Sequence, residues 1–126
     1  MNAELADVAL VVGRLLLGGI FVFGGIEHYF VAKPVLGIMG RRGVPMPLAV
    51  LIVGSVFQAA LGLMLMLGVY VAWASLGLVV FTIAATLMFL HFWDMEGAER
   101  VAAQNNATVN VGVIGGLLVL AAEALR

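Results

Sequence analysis

The sequence contains no cysteine and little charge. Without a thiol, disulfides, thiolate catalysis and cysteine-ligated metal are excluded within the chain, and the redox compartment is left open. Only 10% of its 126 residues are Asp, Glu, Lys or Arg, against about 25% in an ordinary soluble domain. The formal net charge of −1 offers no electrostatic footprint for nucleic acid, which is set aside as a partner. No basic n-region and no small-residue cleavage site flank the first apolar stretch, so it is expected to be a retained helix. Ligand spacing for a metal is missing too. Glu27 and His28 are adjacent, and neighbours on a helix point about 100° apart, so no metal site is expected.

Apolar residues are what the chain has instead. They make up 64% of it, and the mean hydropathy is +1.19. A spanning helix needs about 20 mostly apolar residues, because the hydrocarbon core is about 30 Å thick. Four stretches qualify, at about 8–26, 46–67, 71–93 and 108–124. Pro45 and Pro47 sit at the start of the second, where the first-turn amides lack helical partners. Tyr70, Trp73 and Trp93 bracket the third, as interfacial aromatics do. The expected fold is all-α: a single domain over residues 1–126, built as a four-transmembrane-helix bundle. The turn near 67–71 is short, which makes the second and third spans antiparallel neighbours. An acidic loop is expected over 94–105. The first connection, 31–44, is long and half apolar, and is expected to lie at the membrane interface. Lys33, Arg41 and Arg42 lie within it and are candidate lipid-headgroup contacts. With Arg100 they place the long connections in the cytoplasm and both termini outside, by the rule that counts Lys and Arg near the spans.

With so few polar residues inside the spans, each one carries weight. Arg14 lies about 10 Å into the first span, counted at about 1.5 Å per residue. A buried arginine costs about 2.5–3.5 kcal/mol on insertion scales, so it needs a partner, a wet cavity or a route back to the headgroups. Arg14, Gly18, Phe21, Gly25 and His28 share one helical face, and Gly54, Gln58 and Gly62 share another. Depths counted from the ends of the apolar runs put Arg14 and Gln58 within about 5 Å of one height. The two are therefore expected to face each other as an intramembrane polar pair. A second polar group gathers at the opposite side, with Glu27, His28, His91, Trp93 and Asn110 from three helices. Adjacent aromatics and the pairs Gly24-Gly25 and Gly115-Gly116 suit a flat apolar slot. A quinone head needs such a slot, with donors at its polar end, and His28, His91 and Asn110 are the candidates beside Trp93. Interfacial polar residues and helix caps are the competing explanation. A bis-histidine haem would require both imidazoles aimed at one iron, and it ranks well below the quinone reading.

The order and spacing of these segments resemble the DoxX family of small four-helix membrane proteins. Arg14-Leu15-Leu16-Leu17-Gly18 and Phe21-Val22-Phe23-Gly24-Gly25-Ile26-Glu27-His28 open the match. Ala85 to Trp93 is its sharpest part, and Asn110 with Gly115-Gly116 closes it. His28 stands where the family often has lysine, and Gln58 where it often has glutamate. Val109-Asn110 stands where a Lys-Asn pair is usual. The resemblance implies an inner (plasma) membrane protein, and family members include membrane parts of thiosulfate:quinone oxidoreductase. Three functions follow as expectations. The favoured one is an accessory or anchoring subunit of a membrane redox or respiratory assembly, held by lipids and a larger protein partner or by further copies of itself. Next comes an oxidoreductase subunit that binds quinone itself. A small oligomeric transporter or channel around Arg14 and Gln58 comes third.

Overall fold

The computed structural model describes residues 2–30, 32–41, 43–89 and 92–126, and the side chains of all of these except 28–30, 32–35 and 92. It contains α1 (Ala3–Phe30), α2 (Ala32–Arg41), α3 (Pro47–Leu67), α4 (Val71–Phe89) and α5 (Gly97–Ala124), with one 3₁₀ turn at Phe92–Asp94. Among the described residues, four helices are long and apolar enough to cross a membrane: Ala3–Glu27, Pro47–Leu67, Val71–Phe89 and Gly97–Ala124. The fold is therefore the all-α bundle of four spans that the hydropathy implies.

The element ends differ from the apolar runs for local reasons. Asn2 lets α1 begin at Ala3, because its Oδ1 accepts a hydrogen bond from the Leu5 amide at 3.2 Å. The acidic loop expected over 94–105 is mostly helix, since α5 starts at Gly97 rather than near 108. Ala98, Glu99, Arg100, Ala102, Ala103 and Gln104 are strong helix formers, and their polarity only moves those turns into water. The first connection contains α2, which touches α1, α3 and α4, and Met39 on it is only 2% exposed.

The turn between α3 and α4 is built on Gly68. Its φ of 74° is the left-handed value, its amide donates to the Leu65 carbonyl at 3.2 Å, and the Val69 amide donates to Met64 at 2.9 Å. This Schellman arrangement closes α3 within one residue.

The spans form a ring in the order α1, α3, α4, α5. The tightest pairs are α1 with α3 and α4 with α5, and among the described residues the diagonal helices are not in backbone contact. Small residues explain the first pair. A methyl at Gly62 would lie 2.7 Å from the Gly18 carbonyl oxygen, and one at Gly25 would lie 2.9 Å from the Ser55 carbonyl. Two backbones this close gain dispersion contacts that lipid cannot supply, and dispersion is a main attraction between helices in a bilayer.

The packed core sits in the half of the bundle nearer the termini, where Phe21, Leu65, Ala74, Leu78, Leu117 and Leu120 cluster. Outward faces remain apolar: Leu16 is 65% exposed, Val80 68% and Val119 69%. Helices hydrophobic all round are stable only when lipid covers the outer face. A lipid environment is thus a property of the fold.

Candidate functional site

The other half of the bundle is not filled. The α3–α4 turn ties those helices together at one end, while at the other end α2 packs among α1, α3 and α4. Between them lies a cleft of about 960 Å³. Its walls are apolar along most of their length, with Phe21 and Phe23 from α1, Val53 and Phe57 from α3, and Phe81 and Met88 from α4. Met39 of α2 borders it as well. Phe81 anchors the inner wall through an edge-on contact with Phe21, ring centres 6.5 Å apart, and a tilted one with Phe57 at 6.0 Å. Phe23 and Val53 are each 68% exposed, so the cleft opens sideways onto the apolar surroundings of the bundle.

A few polar groups punctuate these walls. Gln58 is 6% exposed, and its Nε2 lies against Gly24, where a side-chain carbon would collide with it. Its Oε1 is buried with no hydrogen-bond partner. Thr82, 4% exposed, donates its hydroxyl to the Leu78 carbonyl at 2.7 Å. Thr86 donates in the same way to the Thr82 carbonyl at 2.7 Å, and receives a hydrogen bond from Asn110 Nδ2 at 2.9 Å. Asn110 borders the cleft from α5, and Glu27 stands exposed at its edge. On α4, Ala74, Ser75, Leu78 and Thr82 are buried and Val80 is exposed, while Ala84, also exposed, borders the cleft.

Arg14 and Gln58 do not form the expected pair. The Arg14 guanidinium lies against Gly68, at the α3–α4 turn, whereas Gln58 lies against Gly24. Gly24 is ten residues beyond Arg14 on α1, which separates the two side chains by roughly 15 Å in height at 1.5 Å per residue. The cause is register. Gly18 against Gly62 sets the α1–α3 seam, and depths counted from the ends of apolar runs miss that offset because α1 extends beyond the end of α3. Arg14 is half-buried, with Nε enclosed and without a hydrogen-bond partner, and its charge lies near the C-terminal end of α3. A cation there is favoured by the helix dipole.

The remaining candidates divide. Asn110 borders the cleft, as a member of a ligand slot would. Trp93 lies in the 3₁₀ turn, is 59% exposed and is not among the cleft-lining residues. His91 and Arg42 lie outside the described residues, as do the side chains of His28 and Lys33. Arg41 is exposed in the last turn of α2. Among the described residues no group of three or more His, Cys, Asp or Glu side chains converges as a metal site would require. Gln58 is the cleft residue that sequence reasoning assigned elsewhere. The glycine spacing of α1 and α3 held the signal, since pairing Gly18 with Gly62 brings Gln58 level with Gly24.

Comparison with known proteins gives two matches. The family model described as DoxX matches residues 9–91. The inner membrane protein YphA of Escherichia coli (strain K12) is 25% identical over 114 residues, which cover 90% of this chain and 81% of that protein. No solved structure matches the chain.

Proposed function

The chain belongs to the DoxX family, and on that premise we propose that it is a multi-pass subunit of a membrane redox assembly that holds a quinone-type ligand in its cleft. The observation that carries this reading is the cleft itself: about 960 Å³, apolar, open to the side, with Gln58 and Asn110 on its wall. Ligand pockets are usually about 300–1,000 Å³, mostly apolar, with a few polar groups that fix orientation. A ring bearing oxygen atoms and an isoprenoid tail has that division of character. It travels in the bilayer and would enter sideways. The name of the relative, an inner membrane protein, supports the same compartment for this chain. The bias of Lys33, Arg41, Arg42 and Arg100 supports cytoplasmic long connections and termini on the outer side.

A subunit that only anchors a partner is the second reading. The polar first turns of α5 favour it, since Glu99, Arg100 and Gln104 are exposed on a helix that continues beyond the apolar run. The third reading, a small oligomeric transporter or channel around Arg14 and Gln58, draws no support from side chains that lie roughly 15 Å apart in height.

Extraction of the native protein in polymer-bounded lipid discs, followed by identification of every bound protein and small molecule, separates the two. Quinone enriched over the surrounding lipid supports a ligand site in this chain. A stoichiometric larger partner with no quinone enrichment supports the anchor and refutes the ligand site.

A further inference from the structure

We infer that α2 is a door over the water-side end of the cleft, with Met39 as its plug and the link from Gly43 to Met46 as the hinge on which it swings. The inference rests on the geometry of the cleft and not on the identity of its ligand.

The α2 end of the cleft is where the bundle meets water. Glu27 stands exposed at the cleft edge there, and Arg41 is exposed in the last turn of α2. Among the described side chains of α2 only Met39 is buried, at 2% exposure, and it borders the cleft. Leu36 and Ile38 are half-buried, and nothing lies within 4 Å of a methyl at Gly37 or Gly40. Among these residues, burial of one methionine is the main attraction that holds the helix down.

The link opposes that attraction. Gly43 takes the left-handed φ of 77°, its amide donates to the Gly40 carbonyl at 3.1 Å, and the Val44 amide donates to the Met39 carbonyl at 3.0 Å. This cap ties the last turn of α2 to the link. Met46 is left-handed as well, with φ 49° and ψ 60°, and it is 75% exposed beside the cleft. A residue with a side chain is strained there, and the following Pro47 pushes the residue before it toward extended backbone. No side-chain cap hydrogen bond at Met46 offsets the strain. Return of Met46 to extended backbone relieves it and carries the end of α2 away from α3, and Met39 leaves the cleft with the helix. The plug holds the door shut and the hinge loads it, so a change at either shifts the population of the open form. The cleft then has two entrances: the apolar side opening for a lipophilic ligand, and a door through which water and solutes reach it.

The chain contains no cysteine, so a single Ala85→Cys on the cleft wall is a clean reporter. The full chain in lipid nanodiscs is treated with a membrane-impermeant trimethylammonium methanethiosulfonate, which arrives from water. A neutral methyl methanethiosulfonate, which arrives through lipid, is used separately, and modification is followed by mass. In the reporter background Met46→Gly adopts the left-handed turn without strain, so the cationic reagent should react about 3- to 30-fold more slowly. Gly43→Ala must carry a Cβ at a φ of 77° and should react about 5- to 30-fold faster. Met39→Ala removes most of the plug and should react at least about ten-fold faster. The neutral reagent should keep its rate in both hinge variants. Opposite shifts by the two hinge variants, confined to the cationic reagent, support the door. Equal rates in Met46→Gly and Gly43→Ala, shifts in one direction, parallel shifts with the neutral reagent, or an unchanged rate in Met39→Ala overturn it. Each of these outcomes leaves the quinone-type reading to its own test.

Discussion

Adding one methyl group at Gly62 tests whether the α1–α3 seam is held by backbone proximity. The new carbon would lie 2.7 Å from the Gly18 carbonyl oxygen, 3.0 Å from Phe21 Cβ and 3.1 Å from the Val22 nitrogen. Two of these three atoms are backbone, so no rotamer change relieves the contact. The helices must part by several tenths of an ångström, and a gap of about 0.5–1 Å forfeits about a quarter to a half of each dispersion well. Overpacking of this kind costs about 1–3 kcal/mol. An alanine also gains about 0.5–1 kcal/mol over glycine inside a helix, which partly hides the loss. Gly112→Ala on α5 isolates that second effect, because nothing lies within 4 Å of its added methyl. The propensity gain is common to both variants and cancels. Gly62→Ala should therefore unfold about 1–3 kcal/mol more easily than Gly112→Ala. Titration with dodecyl sulfate in dodecyl maltoside micelles, followed by circular dichroism, measures the gap. Equal stability of the two variants would refute the seam as a close backbone contact.

Three further experiments probe other contacts of the bundle. Gly68→Ala must adopt a φ of 74° and collide with the Arg14 guanidinium, so thermal unfolding in detergent should show a loss of about 1–3 kcal/mol. The Asn110–Thr86 hydrogen bond of 2.9 Å should give a coupling energy of about 0.6–1.7 kcal/mol in a double-mutant cycle of Asn110→Leu and Thr86→Val, and additive losses would show that the two do not interact. Asn2→Ala removes the acceptor for the Leu5 amide, and should cost about 0.5–2 kcal/mol of helix stability, or faster amide exchange over the first turn of α1, whereas Asn2→Gly should cost only about a few tenths.

The spans and the fold class were legible because a bilayer imposes length and hydropathy on any helix that crosses it. Register was not. Arg14 and Gln58 seemed level when counted from the ends of the apolar runs, but the bundle is set by glycine contacts. Gly18 on Gly62 shifts Gln58 down to Gly24 and Arg14 up to Gly68. Asn110 emerged as a cleft residue because its depth follows from the end of α5, whose neighbour α4 runs closely beside it. The polar start of α5 was hidden because hydropathy reports the membrane and not the helix, which continues into water. Trp93 is the converse case: an aromatic at the end of an apolar run that serves the exterior, 59% exposed in its turn. The cleft itself has no local signature. It arises from an α3–α4 pair tied by Gly68 at one end, with α2 packed at the other.

A lipophilic ring ligand held in this cleft would leave a chemical trace. Photolabelling the full chain in lipid nanodiscs with an azido-quinone, then mapping the modified peptides, tests it most directly. Labels competed by excess decylubiquinone are expected in α3 at 49–58, α4 at 81–89 and α5 at 110–113. Labels spread over the outward faces at Leu16, Val80 and Val119, and not competed, would contradict it.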